Sequence, residues 1–512
     1  MGIFHNNQPA RQRGKLARII RWICAILLIA VLVTVVPPVC FLATVWWRDI
    51  DVPLAMATTG SGDASRLAAA VPAEVIAISP DEDAALRQLL ELVTRASHEG
   101  RKISISGARH SMGGHTLYPG GITLDMLPFK KMALDVERRI LTVGAGARWA
   151  EVISYLDRQG MAVGVMQSNN DFSVGGSLSL NCHGWQPASP PMASTVEAFR
   201  LVTARGEVIR CSRTENAELF SLVLGGNGLF GVILEAELRV VPNEFYVAKS
   251  HRVSLGDYIR RYRELTNRTD VGMAYGRIST APSAFLQGAA ITVLTRKSSD
   301  LPVKNTLSAR QPHYLMRLVF RGTVGSDYGK NLRWRLEGFF GGSGGLTLSR
   351  NETMNVSAAW FSNRDPQATE ILHEYFVPPD QLETFVDRAR RTLSKHRPDL
   401  LNITVREVRQ DNDTFLRFAR EDVFALVMLF NQTKTPEAEQ LMRRCTKDLI
   451  EDVLACGGTY YLPYRPHATR EQFARAYPQG AKFFELKHRY DPEHVFENMF
   501  SLNYDPRHAP AK

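Results

Sequence analysis

The chain has 512 residues, of which 45% are hydrophobic and 22% are charged. This composition argues against large-scale disorder, and the length predicts two or three structural units rather than a single core. The net charge of +10 does not indicate a nucleic-acid groove, because no Lys/Arg run is interleaved with aromatic residues. The six cysteines lack the spacing of a disulfide framework or a zinc site, so we expect free thiols and no metal.

The N-terminal region contains an uncharged segment, residues 22–47, which follows a basic tail over residues 1–21. A helix needs roughly 20 apolar residues to cross the hydrocarbon core, and the tryptophans at both ends of the segment suit the membrane interfaces. We therefore predict a single-pass transmembrane anchor with a cytoplasmic N-terminus and an extracytoplasmic main domain. Residues 48–67, rich in Gly, Ser and Thr toward their end, are predicted to be a linker.

A cleaved signal peptide is the alternative interpretation of this segment. Pro37 and Pro38 interrupt the apolar residues, and Ala55-Met56-Ala57 resembles a cleavage site. That site lies beyond three charged residues and far from the apolar stretch, which favours an uncleaved anchor.

The following residues mix strand and helix patterns with repeated antiparallel signals, which predicts an α+β fold rather than a doubly wound sheet. The predicted strands are residues 71–79, 102–106, 122–126, 140–143, 199–203, 207–211 and 229–241, and the predicted helices are 81–97 and 149–159. After Pro242 the helices and strands become longer, and the Gly-rich residues 338–345 are predicted to be a loop.

Three glycine-rich loops lie between the strands of the first half. They are residues 106–114, residues 173–177 with their continuation to 184, and residues 225–231. Glycine permits close backbone approach, so successive N–H groups can converge on an anion such as a pyrophosphate. None of the loops matches a P-loop or a Rossmann fingerprint. One such loop alone is more often a tight turn, but three in one half of the chain favour a binding site.

The loops resemble the vanillyl-alcohol-oxidase type (PCMH-type) of FAD-binding domain, most closely that of sugar-acid lactone oxidases (D-arabinono-1,4-lactone oxidase) and alditol oxidases. The resemblance rests on Gly107-Ala-Arg-His-Ser111, Ser173-Val-Gly-Gly-Ser177 and Gly226-Asn-Gly-Leu-Phe-Gly-Val-Ile233. It implies a two-subdomain FAD-binding domain over residues 68–242 and an α+β substrate (cap) domain over residues 243–460. Residues 461–512 would be a C-terminal segment that returns to the FAD domain.

The resemblance also implies that FAD is bonded through its 8α-methyl carbon to His110. The alternative is a loop histidine that only makes hydrogen bonds. A second linkage is not expected, because residues 167–171 contain no cysteine. The implied FAD-binding residues are Ser106, Gly107, Ala108, Arg109, His110, Ser111, Ser168, Ser173, Gly176, Leu180, Asn181, Cys182, His183, Val232, Ile233 and His467.

Three residues of the second half are implied to be catalytic by the same resemblance. Glu407 and Arg409 lie two apart in a strand-like segment, residues 402–410, so they share one face. A carboxylate can accept a proton or hydrogen bond from a substrate hydroxyl, and a guanidinium can stabilise developing negative charge. The alternative for this pair is a surface ion pair on an edge strand. Arg470 replaces the lysine, and Ala468 the tryptophan, of the family's His-Trp-x-Lys segment.

The predicted activity is oxidation of a CH–OH group of an aldonolactone- or alditol-like substrate, with oxygen or a membrane acceptor as electron acceptor. Residues 424–430 form a wholly apolar strand that would not offset the desolvation of several hydroxyls. A more lipophilic alcohol, oxidised by a membrane-linked dehydrogenase, is therefore an alternative. A flavin-binding module without turnover is the third hypothesis.

Overall fold

The segment predicted to be an anchor forms two nearly continuous helices in the computed structural model, which describes residues 8–50, 62–67, 70–298, 303–307, 314–340 and 347–508. Helix α1 (Gln8–Thr34) and helix α2 (Val36–Ile50) meet at Val35. Pro37 and Pro38 fall in the first turn of α2, where a missing N–H removes no helical hydrogen bond. The stretch Arg18–Asp49 is long and apolar enough, by length and composition, to cross a membrane, and its most apolar 18-residue window has no buried residue.

Parts of three predictions lie outside the described residues. These are the first seven residues of the basic tail, most of the linker with the candidate cleavage site Ala55-Met56-Ala57, and most of the Gly-rich loop over 338–345.

The rest of the chain mixes helices and strands, as predicted. The helices are α3 (Glu82–Glu99), α4 (Trp149–Asp157), α5 (Val174–Ser179), α6 (Ala217–Val223), α7 (Tyr258–Thr266), α8 (Tyr314–Arg321), α9 (Asp327–Phe340), α10 (Arg350–Met354), α11 (Leu382–His396), α12 (Pro436–Leu454), α13 (Arg470–Ala476), α14 (Gly480–Tyr490) and α15 (Met499–Tyr504). The strands are β1 (Glu74–Ala77), β2 (Ile103–Ser106), β3 (Ile122–Asp125), β4 (Met132–Asp135), β5 (Ile140–Gly144), β6 (Met161–Val163), β7 (Val196–Val202), β8 (Val208–Ser212), β9 (Val232–Pro242), β10 (Phe245–Ser254), β11 (Val271–Ile278), β12 (Gly288–Arg296), β13 (Thr347–Ser349), β14 (Ala368–Val377), β15 (Asp399–Val408), β16 (Val423–Thr433) and β17 (Thr459–Tyr460).

The strands form three sheets. The first is parallel, with strand order β1-β3-β2. The second is antiparallel, with order β4-β5-β9-β7-β8 and β6 paired to β9. The third is also antiparallel, with order β13-β10-β12-β11-β15-β16-β14-β17. All strands of the first two sheets precede residue 243, and all strands of the third follow it, so the glycine-rich loops belong to the first two sheets.

Helix α3 illustrates why the sequence folds locally as it does. The Asp81 side chain accepts a hydrogen bond from the Ala84 N–H, which caps the N-terminus, and Gly100 ends the helix at a φ of 65°. The buried residues fall at helical spacing, so one face packs on the first sheet; they are Ala85, Leu89, Leu92, Val93 and Ala96.

The C-terminal segment pairs with the first sheet. Ile103 in β2 donates its N–H to the Val495 carbonyl at 2.6 Å and accepts from the Glu497 N–H at 3.0 Å. The Asn498 side chain donates to the Asn227 carbonyl of the third glycine-rich loop at 2.8 Å. The end of the chain therefore lies against the loops that precede it by several hundred residues.

Candidate active site

A narrow cavity lies where the three glycine-rich loops meet, with an empty volume of about 730 Å³ counting space open to solvent. Ten of the predicted FAD-binding residues line it: Ser106, Gly107, Ala108, Arg109, His110, Ser111, Ser173, Gly176, Leu180 and Ile233. The structure thus brings together residues from all three loops.

The first two loops are in direct contact. The Ala108 N–H donates to Ser173 Oγ at 3.3 Å. A Cβ built on Gly107 would lie 2.0 Å from the same Oγ, so a side chain at this position would push the loops apart. Glycine is therefore required here for close approach, while Arg109 adopts the left-handed backbone at a φ of 55°.

The cavity contains buried polar atoms that the described part of the chain does not satisfy. Ser111 Oγ, Thr116 Oγ1 and Asn227 Oδ1 line the cavity and have no hydrogen-bond partner there. Buried polar atoms in proteins are nearly always paired. A ligand rich in donors and acceptors, such as a dinucleotide, would pair them, so the residues present fit FAD.

His115 also lines this cavity, although the sequence did not mark it. It is 6% exposed. Burial lowers the pKa of His115 to about 4, against a smaller opposing contribution from the Leu462 backbone. The ring is therefore neutral at physiological pH and presents uncharged nitrogen atoms to the cavity.

His110 is held flat against a neighbouring aromatic ring. Its imidazole stacks on Phe172 with ring centroids 4.3 Å apart and planes at 17°. Burial lowers the pKa of His110, the charge of Asp171 opposes this, and Arg148 adds to it. A neutral imidazole keeps a lone pair on one nitrogen, which is the state that can bond to an electrophilic carbon.

A second, larger cavity begins at His110 and has an empty volume of about 2900 Å³ counting space open to solvent. It shares Ala108, Arg109, His110 and Phe172 with the first cavity. Much of its wall is apolar and includes side chains from α8, α9 and β16: Met112, Leu315, Met316, Val319, Phe320, Leu336, Phe361, Leu372 and Leu429. Because the two cavities meet at His110, the second is the candidate substrate space.

One region of the second cavity is polar. Glu337 pairs with Arg333 at 2.7 Å and also with Arg277. Burial alone would raise the pKa of Glu337, but the two guanidinium groups outweigh it and the pKa lies below its usual value. Arg333 also donates to Asn402 Oδ1 at 2.8 Å. Two arginines and one carboxylate leave a net positive charge beside the amide, which suits an oxygen-rich group of a ligand.

Strand β15 presents opposite faces to two environments. Asn402 and Thr404 line the second cavity. Arg406 follows on the same face and donates to Ser168 Oγ at 3.0 Å and to the His183 carbonyl at 3.4 Å. The strand therefore directs Arg406 toward two residues that were predicted to contact FAD.

Glu407 lies on the other face of β15, and Arg409 directly follows the strand. Glu407 acts electrostatically on the buried hydroxyl of Tyr262 in α7, and burial raises its own pKa although Arg409 opposes the shift. Arg409 lies 3.5 Å from Glu407 and 2.6 Å from Asp422. Among the described residues neither of the pair lines the two cavities, and their catalytic role stays a prediction.

A buried polar network surrounds Ser168 and His183. His183 Nε2 lies 2.6 Å from Glu374 Oε1, and the Tyr464 hydroxyl donates to the other oxygen of Glu374 at 3.2 Å. Burial would raise the pKa of Glu374, but His183 and then Arg406 outweigh it and hold the pKa below its usual value. Glu374, Tyr464 and Arg406 were missed from the sequence because they lie on separate elements.

Three predicted FAD-binding residues lie behind the loops rather than along the first cavity. Asn181 donates to Asp411 Oδ2 at 2.9 Å. Cys182 is a buried free thiol, and burial raises its pKa to about 11. Val232, at the start of β9 in the second sheet, is fully buried in the hydrophobic core that packs against the first sheet. Their observed contacts are structural, and cofactor contact by them stays a prediction.

The two predicted residues near the C-terminus are also engaged elsewhere. His467 is buried, with Nε2 2.9 Å from Glu439 Oε1. Arg470 begins α13 and donates its Nε to the Asn503 carbonyl at 2.8 Å. The family spacing of these residues is preserved, but the described part of the chain does not bring them to either cavity.

Comparisons with known proteins agree with the loop geometry. Residues 80–212 match the family model described as an FAD binding domain. The chain is 28% identical to cytokinin dehydrogenase 2 of Arabidopsis thaliana over 44% of this chain and 47% of the relative. It is 30% identical to D-arabinono-1,4-lactone oxidase of Yarrowia lipolytica over 36% of each chain. It is also 30% identical to decaprenylphosphoryl-beta-D-ribose oxidase of Mycolicibacterium smegmatis over 30% of this chain and 35% of the relative.

The chain therefore spans about half or less of the length of these relatives. The names of the three relatives refer to different substrates. The match over residues 80–212, with the loops and unsatisfied polar atoms that line the first cavity, supports a PCMH-type FAD-binding domain in this chain.

Proposed function

We propose that the chain is an FAD-dependent oxidoreductase that oxidises a CH–OH group of a substrate bound in the second cavity. The observation that carries this proposal is that His110 lines both cavities, so a substrate in one lies next to a cofactor in the other. When bound, FAD supplies the two-electron acceptor, which takes a hydride at its N5 atom.

The substrate that fits best has an oxygen-rich end and an apolar remainder. The Arg277–Glu337–Arg333 group and the side chains of Asn402 and Thr404 offer hydrogen bonds to hydroxyl or anionic oxygens. The apolar side chains that α8 and α9 add to the wall offer none; they are Leu315, Met316, Val319, Phe320 and Leu336. An aldonolactone or alditol would use only the polar region, whereas a lipophilic alcohol would use both.

Anaerobic loss of flavin absorbance tests this directly. Aldonolactones, alditols and a series of alkyl-substituted polyols of increasing chain length would be mixed with the full chain. Burial of each added CH₂ contributes about 0.8 kcal/mol, so the apparent KM should fall by about fourfold per methylene until the cavity is filled. A KM that is independent of chain length contradicts the apolar part of the proposal. Failure of every donor to bleach the flavin would favour a binding module without turnover.

Attachment of FAD through His110 is the second part of the proposal. The neutral imidazole of His110, held against Phe172, would bond to the 8α carbon as that methyl group loses one hydrogen as a proton. The two electrons of the broken C–H bond would stay on the flavin until the electron acceptor takes them. Acid precipitation of the purified protein should leave the yellow colour in the pellet. The His110→Asn variant should release its colour to the supernatant. Release of the colour from the wild-type protein would show that His110 only makes hydrogen bonds.

The catalytic residues can be assigned by comparing the two faces of β15. We infer that Thr404 binds the substrate oxygen, whereas the resemblance points to Glu407 and Arg409, with Arg470 as a further candidate. Thr404→Val removes a hydroxyl at the cavity wall and should slow anaerobic flavin reduction by about tenfold, as the loss of about 1.4 kcal/mol of hydrogen bonding would. Glu407→Gln, three residues further along β15 and on its opposite face, should stay within about twofold of wild type. The reverse result would support Glu407 as the catalytic residue.

The electron acceptor is proposed to be oxygen or a membrane acceptor, and α1–α2 is proposed to anchor the chain with the flavin-binding part on the extracytoplasmic side. The apolar span Arg18–Asp49 supports the anchor. Reoxidation of the reduced protein by oxygen and by a quinone, measured separately, distinguishes the acceptors. Protease accessibility of the flavin-binding part in sealed cells tests its side of the membrane.

A further inference from the structure

Helix α8 exposes two apolar side chains and buries two arginines. Leu315 and Met316 are 59% and 56% exposed, whereas the side chains of Arg317 and Arg321 are 0% and 6% exposed. A helix on a water-facing surface normally buries its apolar residues and exposes its charges. The exposed pair, Leu315 and Met316, is called the apolar mouth below.

The buried arginine of α8 ties this helix to the end of the apolar span. Arg317 donates through Nε and Nη2 to the two oxygens of Asp49 at 2.6 and 2.5 Å. The Tyr314 hydroxyl donates to the same carboxylate at 3.2 Å. Asp49 is the last residue of the span, so the apolar mouth is one to two residues from a contact with the end of the anchor.

Aromatic residues strengthen the contact and mark the same region. Phe41 in α2 meets Tyr328 in α9 edge to face, with ring centroids 5.0 Å apart. Trp46 and Trp47, at the end of the span, are 40% and 70% exposed. Exposed tryptophans at the end of an apolar helix are typical of the membrane interface.

The apolar mouth also belongs to the wall of the second cavity. Leu315 and Met316 line it together with Val319, Phe320 and Leu336. The cavity wall is thus continuous with the exposed apolar surface beside the anchor. Exposure of these side chains to water is unfavourable by roughly 25 cal/mol per Å², and contact with lipid removes that penalty.

We propose that the apolar mouth of α8 lies in the interface of the membrane that α1–α2 crosses, and that the lipophilic part of the substrate enters the second cavity from the bilayer through it. The route rests on the proposed function, whereas the contact of α8 with lipid does not. The Asp49–Arg317 pair sets the depth of α8 relative to the anchor.

Lipid contact can be measured in nanodiscs without turnover. The full chain with Cys24→Ser and Cys40→Ser leaves only buried thiols among the cysteines, so a cysteine introduced by Met316→Cys can carry a bimane label. Val136→Cys is the matched control, because Val136 is 54% exposed and lies between β4 and β5 in the second sheet. Lipids with a spin label near the headgroup should quench the label at position 316 several-fold more than at position 136. Equal quenching overturns the proposal. Leu315→Cys serves as a second site if the first variant folds poorly.

The entry route is tested with the unmodified chain in proteoliposomes. A long-chain polyol that reduces the flavin and exchanges slowly between vesicles is placed either in the proteoliposomes themselves or, at the same total concentration, in separate protein-free vesicles. Entry from the bilayer predicts flavin reduction several-fold faster when the polyol shares the bilayer of the protein. Equal rates in the two arrangements overturn the route. Quenching at position 316 without any flavin reduction would leave the lipid contact in place and refute the proposed function instead.

Discussion

Gly107→Ala tests the contact on which the first cavity depends. The added Cβ would lie 2.0 Å from Ser173 Oγ and 2.9 Å from Ser173 Cβ. Restoring an ordinary contact of 3.4 Å requires the two loops to separate by about 1.4 Å. Overpacking of this kind costs about 1–3 kcal/mol. If the strain falls on the cofactor-bound state, FAD binding weakens by roughly 5- to 150-fold.

A double-mutant cycle separates this contact from general damage. The cycle is made in a His110→Ala background, so that FAD binds reversibly and its Kd can be measured by fluorescence titration. Ser173→Gly removes both atoms that the new Cβ would meet, although it also removes the acceptor for the Ala108 N–H. Gly107→Ala combined with Ser173→Gly should therefore bind FAD more tightly than the two single effects predict, with a coupling of at least about 1 kcal/mol. Additivity within about 0.5 kcal/mol would refute the steric reasoning.

Three further predictions follow from buried ionisable groups. His115 has a folded-state pKa of about 4, below the unfolded value of 6.5, so its stabilising contribution is complete above pH 6.5 and up to about 3 kcal/mol of it is lost as the pH falls to 4. The melting temperature of His115→Phe should therefore depend less on pH between 7 and 4 than that of the wild type. An unchanged pH dependence would contradict this. Asp49→Asn leaves Arg317 buried without its charge partner and should cost about 3–5 kcal/mol in thermal melting, whereas adding Arg317→Met should recover most of the loss. Asp491 pairs with buried Lys487 and accepts hydrogen bonds from two backbone N–H groups of the C-terminal segment. Asp491→Ala should therefore make that segment sensitive to protease and lower the flavin content. An unchanged cleavage pattern would count against this role of Asp491.

The loops were predictable because their signal is local. Residues 106–114, 173–177 and 225–231 are rich in glycine and hydroxyl residues, which allow two backbone segments to approach closely. Ten of the residues predicted to bind FAD line one cavity. The strands near them were also visible, but β4 and β6 were missed. Strand β6 has three residues, too few to show a reliable period. Every residue of β4 is half-buried or exposed, so this strand has no buried apolar run.

The second cavity could not be derived in the same way. Period 2 places Thr404 and Glu407 on opposite faces of β15, but the sequence does not say which face meets the cavity. Which face meets the cavity depends on tertiary packing, because α7 covers the face that carries Glu407, whereas α8 and α9 lie across the cavity from the face that carries Thr404. Arg277, Arg333 and Glu337 lie on a strand and a helix that are joined only in the folded chain. His467 shows the opposite limit of sequence reasoning. Its spacing matches the family motif, but its ring forms a hydrogen bond with Glu439 instead of lining either cavity.

The pairing of residues 495–499 with β2 and with the third loop sets an order of events during synthesis. Ile103 and Asn227 leave the ribosome hundreds of residues before Val495 and Asn498, the residues with which they form hydrogen bonds in the folded chain. At about 5–20 residues per second, the loops wait for many seconds before their final support arrives. We therefore expect FAD to be loaded after translation, and a chain that stops near residue 490 should accumulate yet remain colourless.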